Sequence, residues 1–193
     1  MRKAQNKIDM LCILGPTAIG KTHLAVRLAK ILDSEIISAD SRQVYRDMDI
    51  GTGKDLDEYC INGGKIPYHL INIVDAGYEF NVFEYQQAFL KAYQEIKKRK
   101  KLPILCGGTG LYINAVLSGY KLVKVPKDNK LRDELRDKTD KELIVRLSGL
   151  QPLHNTTDTL NRDRLIRAIE IVEYSGEPEI NKFPCIETRT YGL

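Results

Sequence analysis

A chain of 193 residues, 42% hydrophobic and 29% charged, has the size of one globular domain with room for a small appended lobe. The formal net charge of +4 permits a nucleic-acid partner without arguing for one. Four scattered cysteines (Cys12, Cys60, Cys106, Cys185) with no C-x-x-C pair exclude a zinc site or disulfide framework, and no apolar run is long enough to cross a bilayer.

The apolar stretch behind Met1-Arg2-Lys3 is too short for a secretory signal, is broken by Asp9, and runs straight into a glycine loop. A cytosolic protein in a reducing compartment is expected. Residues 8–14 read as a buried strand, and Lys21 to Leu32 carry Leu24, Ala25, Leu28, Ile31 and Leu32 at helical spacing. Glu35 to Ala39 form a second strand that ends at Asp40, with a short helix at Arg42 to Tyr45. Gly51 to Lys65, rich in Gly, Asp and Lys, reads as a surface loop, and His69 to Val74 as a third strand. Asn81 caps a helix running to about Lys100, with Phe83, Ala88, Phe89, Ala92 and Ile96 on one side. Leu102 to Cys106 make a further buried strand, and Gly107-Gly108-Thr109-Gly110 opens a helix through Leu117.

Strands alternating with helices imply an α/β fold with a parallel sheet flanked by helices, and the G-x-x-x-x-G-K-[ST] loop at residues 15–22 makes that sheet P-loop NTPase-like. Residues 1–120 form this core. The charged, helical segment 121–159 reads as a small insertion, and 160–193 as a return to the core that closes on a strand near residues 183–191. In such sheets the loops at the carboxyl ends of the strands build the site, so residues 15–22, 40–43 and 107–109 should converge.

Gly15-Pro16-Thr17-Ala18-Ile19-Gly20-Lys21-Thr22 fits G-x-x-x-x-G-K-[ST] between a strand and a helix. Its backbone N–H groups and helix N-terminus favour phosphate, Lys21 adds a full charge, and the Thr22 hydroxyl suits Mg²⁺. On position alone Asp40 has three roles open: an Mg²⁺ partner through water, a general base, or a helix cap. Thr109 is either a helix N-cap or a phosphate contact. His69 reads as a core histidine, and Lys97-Lys98-Arg99-Lys100-Lys101 as a solvated helix end whose cations complement the dipole. Tyr45, Tyr68, Tyr78, Tyr85, Tyr93 and Tyr112 read as packing residues with a wet edge.

Five blocks in order resemble the tRNA dimethylallyltransferase (tRNA isopentenyltransferase) family: Gly15 to Thr22, Ser38 to Tyr45, Met48 to Lys54, Gly107 to Tyr112, and Asp163 to Glu170. The resemblance implies transfer of a prenyl group from dimethylallyl diphosphate, with Mg²⁺, to N6 of the adenosine 3′-adjacent to the anticodon of tRNA. It implies that Gly15, Pro16, Thr17, Ala18, Ile19, Gly20, Lys21 and Thr22 hold the diphosphate, that Thr22 meets the metal, and that Asp40 and Thr109 are catalytic. Asp40, Ser41, Arg42 and Gln43 match the segment that meets the flipped nucleotide. Arg132 and the block Asp163, Arg164, Leu165, Ile166 and Arg167 match other tRNA-facing stretches. A monomer is expected. Members of the family continue well past the equivalent of Leu193. A small-molecule kinase with the same loop, or a shortened tRNA-binding protein without catalysis, remain as alternatives on the residues alone.

Overall fold

A computed structural model describes residues 8–61, 63–150, 161–174 and 183–193. Its centre is a five-stranded, fully parallel sheet built from β1 (Met10–Leu14), β2 (Glu35–Ala39), β5 (Tyr68–His69), β6 (Pro103–Gly107) and β7 (Thr188–Gly192). The strand order is β5-β2-β6-β1-β7. β2 and β6 are buried along their whole length, as strands covered on both faces are, with the polar Glu35 and Ser38 of β2 buried among the apolar residues.

Alternation along the strands sorts the core into two layers. Ile13, Ile36 and Ile104 face α1 (Lys21–Leu32), which contributes Ala25, Val26 and Ala29. Cys12, Ile37 and Leu105 face the other side, where Phe89 and Ile96 of α2 (Val82–Lys98) and Tyr112 and Val116 of α3 (Gly110–Leu117) cover them. Asn81 caps α2 in a full capping box with Glu84. The expected parallel α/β fold is what the chain forms.

Three local expectations change. Residues 42–45 form turns rather than a helix, and Tyr45 bridges Val74 in parallel. The third strand is only two residues long, because Leu70 (φ 63°) and Asn72 (φ 57°) take left-handed backbone and end it. Within the expected loop 51–65 lie a 3₁₀ turn at Leu56–Tyr59 and a hairpin of β3 (Cys60–Ile61) and β4 (Gly64–Lys65).

The basic run closing α2 is largely spoken for by ion pairs at the amino ends of the strands. Lys97 meets Asp9 at 3.1 Å, Lys101 meets Asp33 at 2.8 Å, and Arg99 grips the buried Glu35 with two hydrogen bonds. His69, half-buried, also contacts Glu35. Burial raises the Glu35 carboxyl, but Arg99 and His69 outweigh it and leave it below its ordinary value.

A second compact unit holds α4 (Asn129–Arg136), α5 (Asp140–Leu150) and α6 (Arg162–Glu173). Here the boundary differs from the sequence reading. The chain rejoins the sheet unit near residue 182 rather than 160, because α6 buries Leu165 and Ile169 against Leu135, Leu143 and Leu147. Residues 151–159, the end of the expected insertion, lie outside the described residues.

In this unit the fully buried Glu170 carboxylate accepts two bonds from Arg132, one from Arg167 and one from the Asp128 amide. Burial alone would raise it; these donors win and hold it near 2 instead of its ordinary 4.5. A depressed carboxylate stabilises the fold above its unfolded value and loses that contribution as pH falls through its folded one. The stability advantage of the wild type over Glu170→Gln will therefore be full above pH 4.5 and shrink between pH 4.5 and about 2, read by helical circular dichroism in denaturant titrations. An advantage independent of pH across that window would remove the charge argument.

Among the described residues no helix is long and apolar enough to cross a membrane.

Candidate functional site

Because β1, β2 and β6 are adjacent and parallel, the loops that leave their carboxyl ends meet at one edge of the sheet. They border a cleft of about 320 Å³ lined by Thr17, Ala18, Gly20, Lys21, Thr22, Asp40, Gln43, Cys106 and Gly107. Thr52, Gly53, Asp55, Glu58 and Tyr59 form its other wall.

The phosphate loop takes its shape from glycine. At Gly15 the backbone has φ 156°, and a Cβ would come 2.8 Å from the Leu193 carbonyl oxygen. Gly20, in left-handed conformation, turns the chain into α1 without any side-chain cap, leaving the first helical N–H groups for a ligand. Lys21 donates to the Pro16 carbonyl of its own loop. Pro16 and Ile19 belong to the loop without lining the cleft, and Ile19 is half exposed.

Gly107 lets β6 lie against the end of β2: any Cβ there would overlap the Ala39 carbonyl. This close approach positions Thr109, whose N–H donates to Ala39 O at 3.0 Å and whose hydroxyl oxygen accepts from the Ser41 N–H at 2.9 Å. Thr109 therefore makes no side-chain cap on α3. It fastens the loop after β6 to the loop after β2, a role outside both readings made from its position. Asp40 likewise caps no helix: its Oδ1 accepts from the Arg42 N–H at 2.9 Å in an Asx turn, and the carboxylate borders the cleft.

Gln43 spans the site's two walls. Its side-chain oxygen accepts from the Ser38 hydroxyl, and its amide donates to the Gly53 carbonyl at 3.1 Å. Next to Gly53, the buried Lys54 ammonium donates to Tyr45 O, Asp49 Oδ1 and Asn72 Oδ1, each at 2.7 Å. A buried cation is tolerated because all three of its protons are matched. Burial pushes the Cys106 thiol up to about 12 against the pull of Lys21, so it stays a protonated part of the cleft floor.

The second wall, Thr52 to Tyr59, was missed as site in the sequence. The signal was present in the block Met48 to Lys54, which matched without receiving a role. Of the remaining site candidates, Ser41 is half-buried under Thr109 and Arg42 is exposed beside the cleft. In the helical unit Asp163 and Arg164 are exposed, and Asn161 caps α6 through the Arg164 amide. Leu165 is wholly buried and Ile166 packs against the same core, so these two are packing residues rather than contact residues. Arg132 and Arg167 are engaged with Glu170, and Arg167 also donates to Val125 O at 2.7 Å.

A parallel sheet with a glycine-lysine-threonine loop after β1, and a carboxylate at the end of β2 one strand further across the sheet, defines a phosphate-loop fold. Residues 43–187 match the model of the IPP transferase family, and the chain belongs to that family. It is 57% identical over 189 residues to tRNA dimethylallyltransferase 2 of Phocaeicola vulgatus, covering 97% of this chain and 62% of the relative. It also resembles the solved full-length tRNA isopentenylpyrophosphate transferase of Bacillus halodurans, at 39% identity and a TM-score of 0.57, over 89% of this chain and 57% of that one. A eukaryotic dimethylallyltransferase acting on tRNA superposes with a TM-score of 0.76 at 25% identity, over 97% of this chain and 48% of that one. The chain thus spans about three-fifths of the length of the curated relatives it matches.

Proposed function

We propose that this chain carries the donor site and the proton acceptor of an enzyme that transfers a dimethylallyl group from dimethylallyl diphosphate to N6 of the adenosine 3′-adjacent to the anticodon in tRNA. The observation that supports it is the meeting, in one cleft, of the phosphate loop after β1 with the Asp40 carboxylate at the end of β2. A kinase acting on a hydroxyl can use the same pair, and the match of residues 43–187 to the IPP transferase family is what supports a prenyl donor with an amine acceptor.

In this reading N6 forms a bond to C1 of the donor while the C1–O bond breaks and diphosphate departs with the electron pair. The amine's proton passes to Asp40. The loop amides and Lys21 stabilise the charge that grows on the diphosphate, from positions already set before reaction. The cleft also suits Mg²⁺: the Thr22 hydroxyl is a hard oxygen ligand at the start of α1, beside the phosphate loop. No cluster of three acidic, histidine or cysteine ligands occurs among the described residues, which fits an ion held mostly by diphosphate and water. When bound, Mg²⁺ would neutralise the leaving group.

Ser41, Arg42 and Gln43 would meet the flipped nucleotide beside the cleft, and the exposed Asp163 and Arg164 would face the RNA from the helical unit. We take the working species to be a cytosolic monomer, in keeping with four free cysteines.

The test is incubation with labelled dimethylallyl diphosphate, Mg²⁺ and unmodified tRNA. Label on tRNA is the expected outcome; label on free AMP alone would exclude the tRNA assignment. In the same system Lys21→Ala will weaken donor binding by about 2 kcal/mol, roughly thirtyfold in Kd, through loss of a charge-assisted contact. An unchanged donor Kd would mean that the phosphate loop is not the donor site.

A further inference from the structure

Tyr59 closes the 3₁₀ turn that Asp55 caps, and only 4% of it is exposed. Its ring packs on Tyr68 with centroids 4.6 Å apart, and it lines the cleft with Cys106, Gly107 and Asp40. Its hydroxyl makes no hydrogen bond to any described residue. Yet among the described residues no buried polar side-chain atom lacks a partner. The hydroxyl must therefore reach open space, and Tyr59 lines the cleft. A phenol buried to this extent normally finds a partner for its O–H, so an unpartnered one facing a ligand cleft points to the ligand.

The surroundings say which part of a ligand it would meet. Burial first, with the Glu58 and Asp40 carboxylates adding to it, pushes the phenol well above its ordinary value, so it remains a donor. On its wall of the cleft Tyr59 stands with Asp55 and Glu58, whereas Lys21 belongs to the phosphate loop on the other wall. That acidic end of the cleft disfavours a diphosphate. It favours a neutral group that offers N–H to a carboxylate and a lone pair to the phenol. An amino-heterocycle, with an exocyclic amine beside a ring nitrogen, presents that pair on one edge.

We infer that Tyr59 is a ligand-contacting residue whose hydroxyl donates a hydrogen bond to a ring nitrogen of the acceptor base, while Asp40 faces the exocyclic amine. The inference rests on the proposed acceptor chemistry and adds a specificity determinant to it. A purine lacking that nitrogen would leave the phenol unmatched and be discriminated against.

The experiment compares wild type with Tyr59→Phe, which removes one oxygen and keeps the ring on Tyr68. Steady-state transfer is measured to an anticodon stem-loop RNA whose target base is adenosine, 1-deazaadenosine or 7-deazaadenosine. Tyr59→Phe should raise the KM for the adenosine RNA about three- to tenfold, the scale of one hydrogen bond, with the KM for dimethylallyl diphosphate and the thermal midpoint unchanged. With the deaza base that lacks the contacted nitrogen, the two proteins should be equal. A rise in donor KM alone would assign the hydroxyl to the diphosphate and overturn the inference. Equal behaviour of the two proteins on all three RNAs would also overturn it. If the wild type transfers no label and binds no stem-loop RNA, the proposed function itself fails, and the inference falls with it.

Discussion

Asp40→Asn will lower the rate of prenyl transfer by about 10²- to 10⁴-fold while leaving the affinity for dimethylallyl diphosphate within about twofold of wild type. The substitution is chosen to separate chemistry from structure. An asparagine keeps the side-chain oxygen that accepts from the Arg42 N–H at 2.9 Å, so the Asx turn after β2 survives. Thr109 still holds the Ser41 amide, so the loop stays fastened to β6. What disappears is a group able to take a proton from an amine that is a weak nucleophile until it loses one. Single-turnover transfer and equilibrium binding of the donor, measured side by side, provide the check. If donor affinity falls in step with the rate, Asp40 acts chiefly on the metal–diphosphate, and the base must be sought elsewhere on the cleft.

The parts of this site that were legible in the sequence are those encoded locally. A glycine–lysine–threonine loop between an apolar run and an amphipathic helix is a short-range pattern, and Asp40 announces itself by standing at the end of a buried strand. The parallel order of the sheet follows from alternation of element types, and with it the meeting of the loops after β1, β2 and β6. Thr109 was not legible in the same way. Next to two glycines and a helix start, its hydroxyl has a local partner available, and only the approach of β6 to β2 gives it a better one in Ser41. Tyr59 was hidden for a similar reason. Its segment is polar and glycine-rich, so it reads as surface, but Ile66 N–H bonds back to the Tyr59 carbonyl and the turn folds its ring inward. Lys54 is a further case: a lysine in a loop reads as solvated, and its burial depends on Asn72, a residue 18 positions away that adopts left-handed backbone. The early end of the third strand has the same origin, since nothing in His69 to Val74 forecasts positive φ at Leu70.

Gly107→Ala will be the most damaging single-methyl addition in the sheet unit, destabilising the fold by about 3 kcal/mol and lowering the thermal midpoint by roughly 6–12 °C. A Cβ at this position would overlap the carbonyl of Ala39 and stand 2.8 Å from its Cα. Ordinary overpacking is relieved by rotating a side chain, but here the obstacle is backbone, and Ala39 and Gly107 are register partners in the parallel ladder. Relief therefore requires β2 and β6 to separate at their carboxyl ends. That separation also lengthens the Thr109 N–H to Ala39 O bond and draws Ser41 from the Thr109 hydroxyl, so the loop carrying Asp40 moves with it. The same substitution three residues on supplies the control. A Cβ at Gly110 meets nothing within 4 Å, and the residue is the first of α3, where alanine is the better helix former. Gly110→Ala should be neutral or stabilise by about 0.5 kcal/mol. Transfer measured well below the lowered midpoint then distinguishes the two consequences. A residual defect in Gly107→Ala, absent in Gly110→Ala, would locate the strand approach in the geometry of the cleft. Full activity at low temperature would confine Gly107 to stability alone.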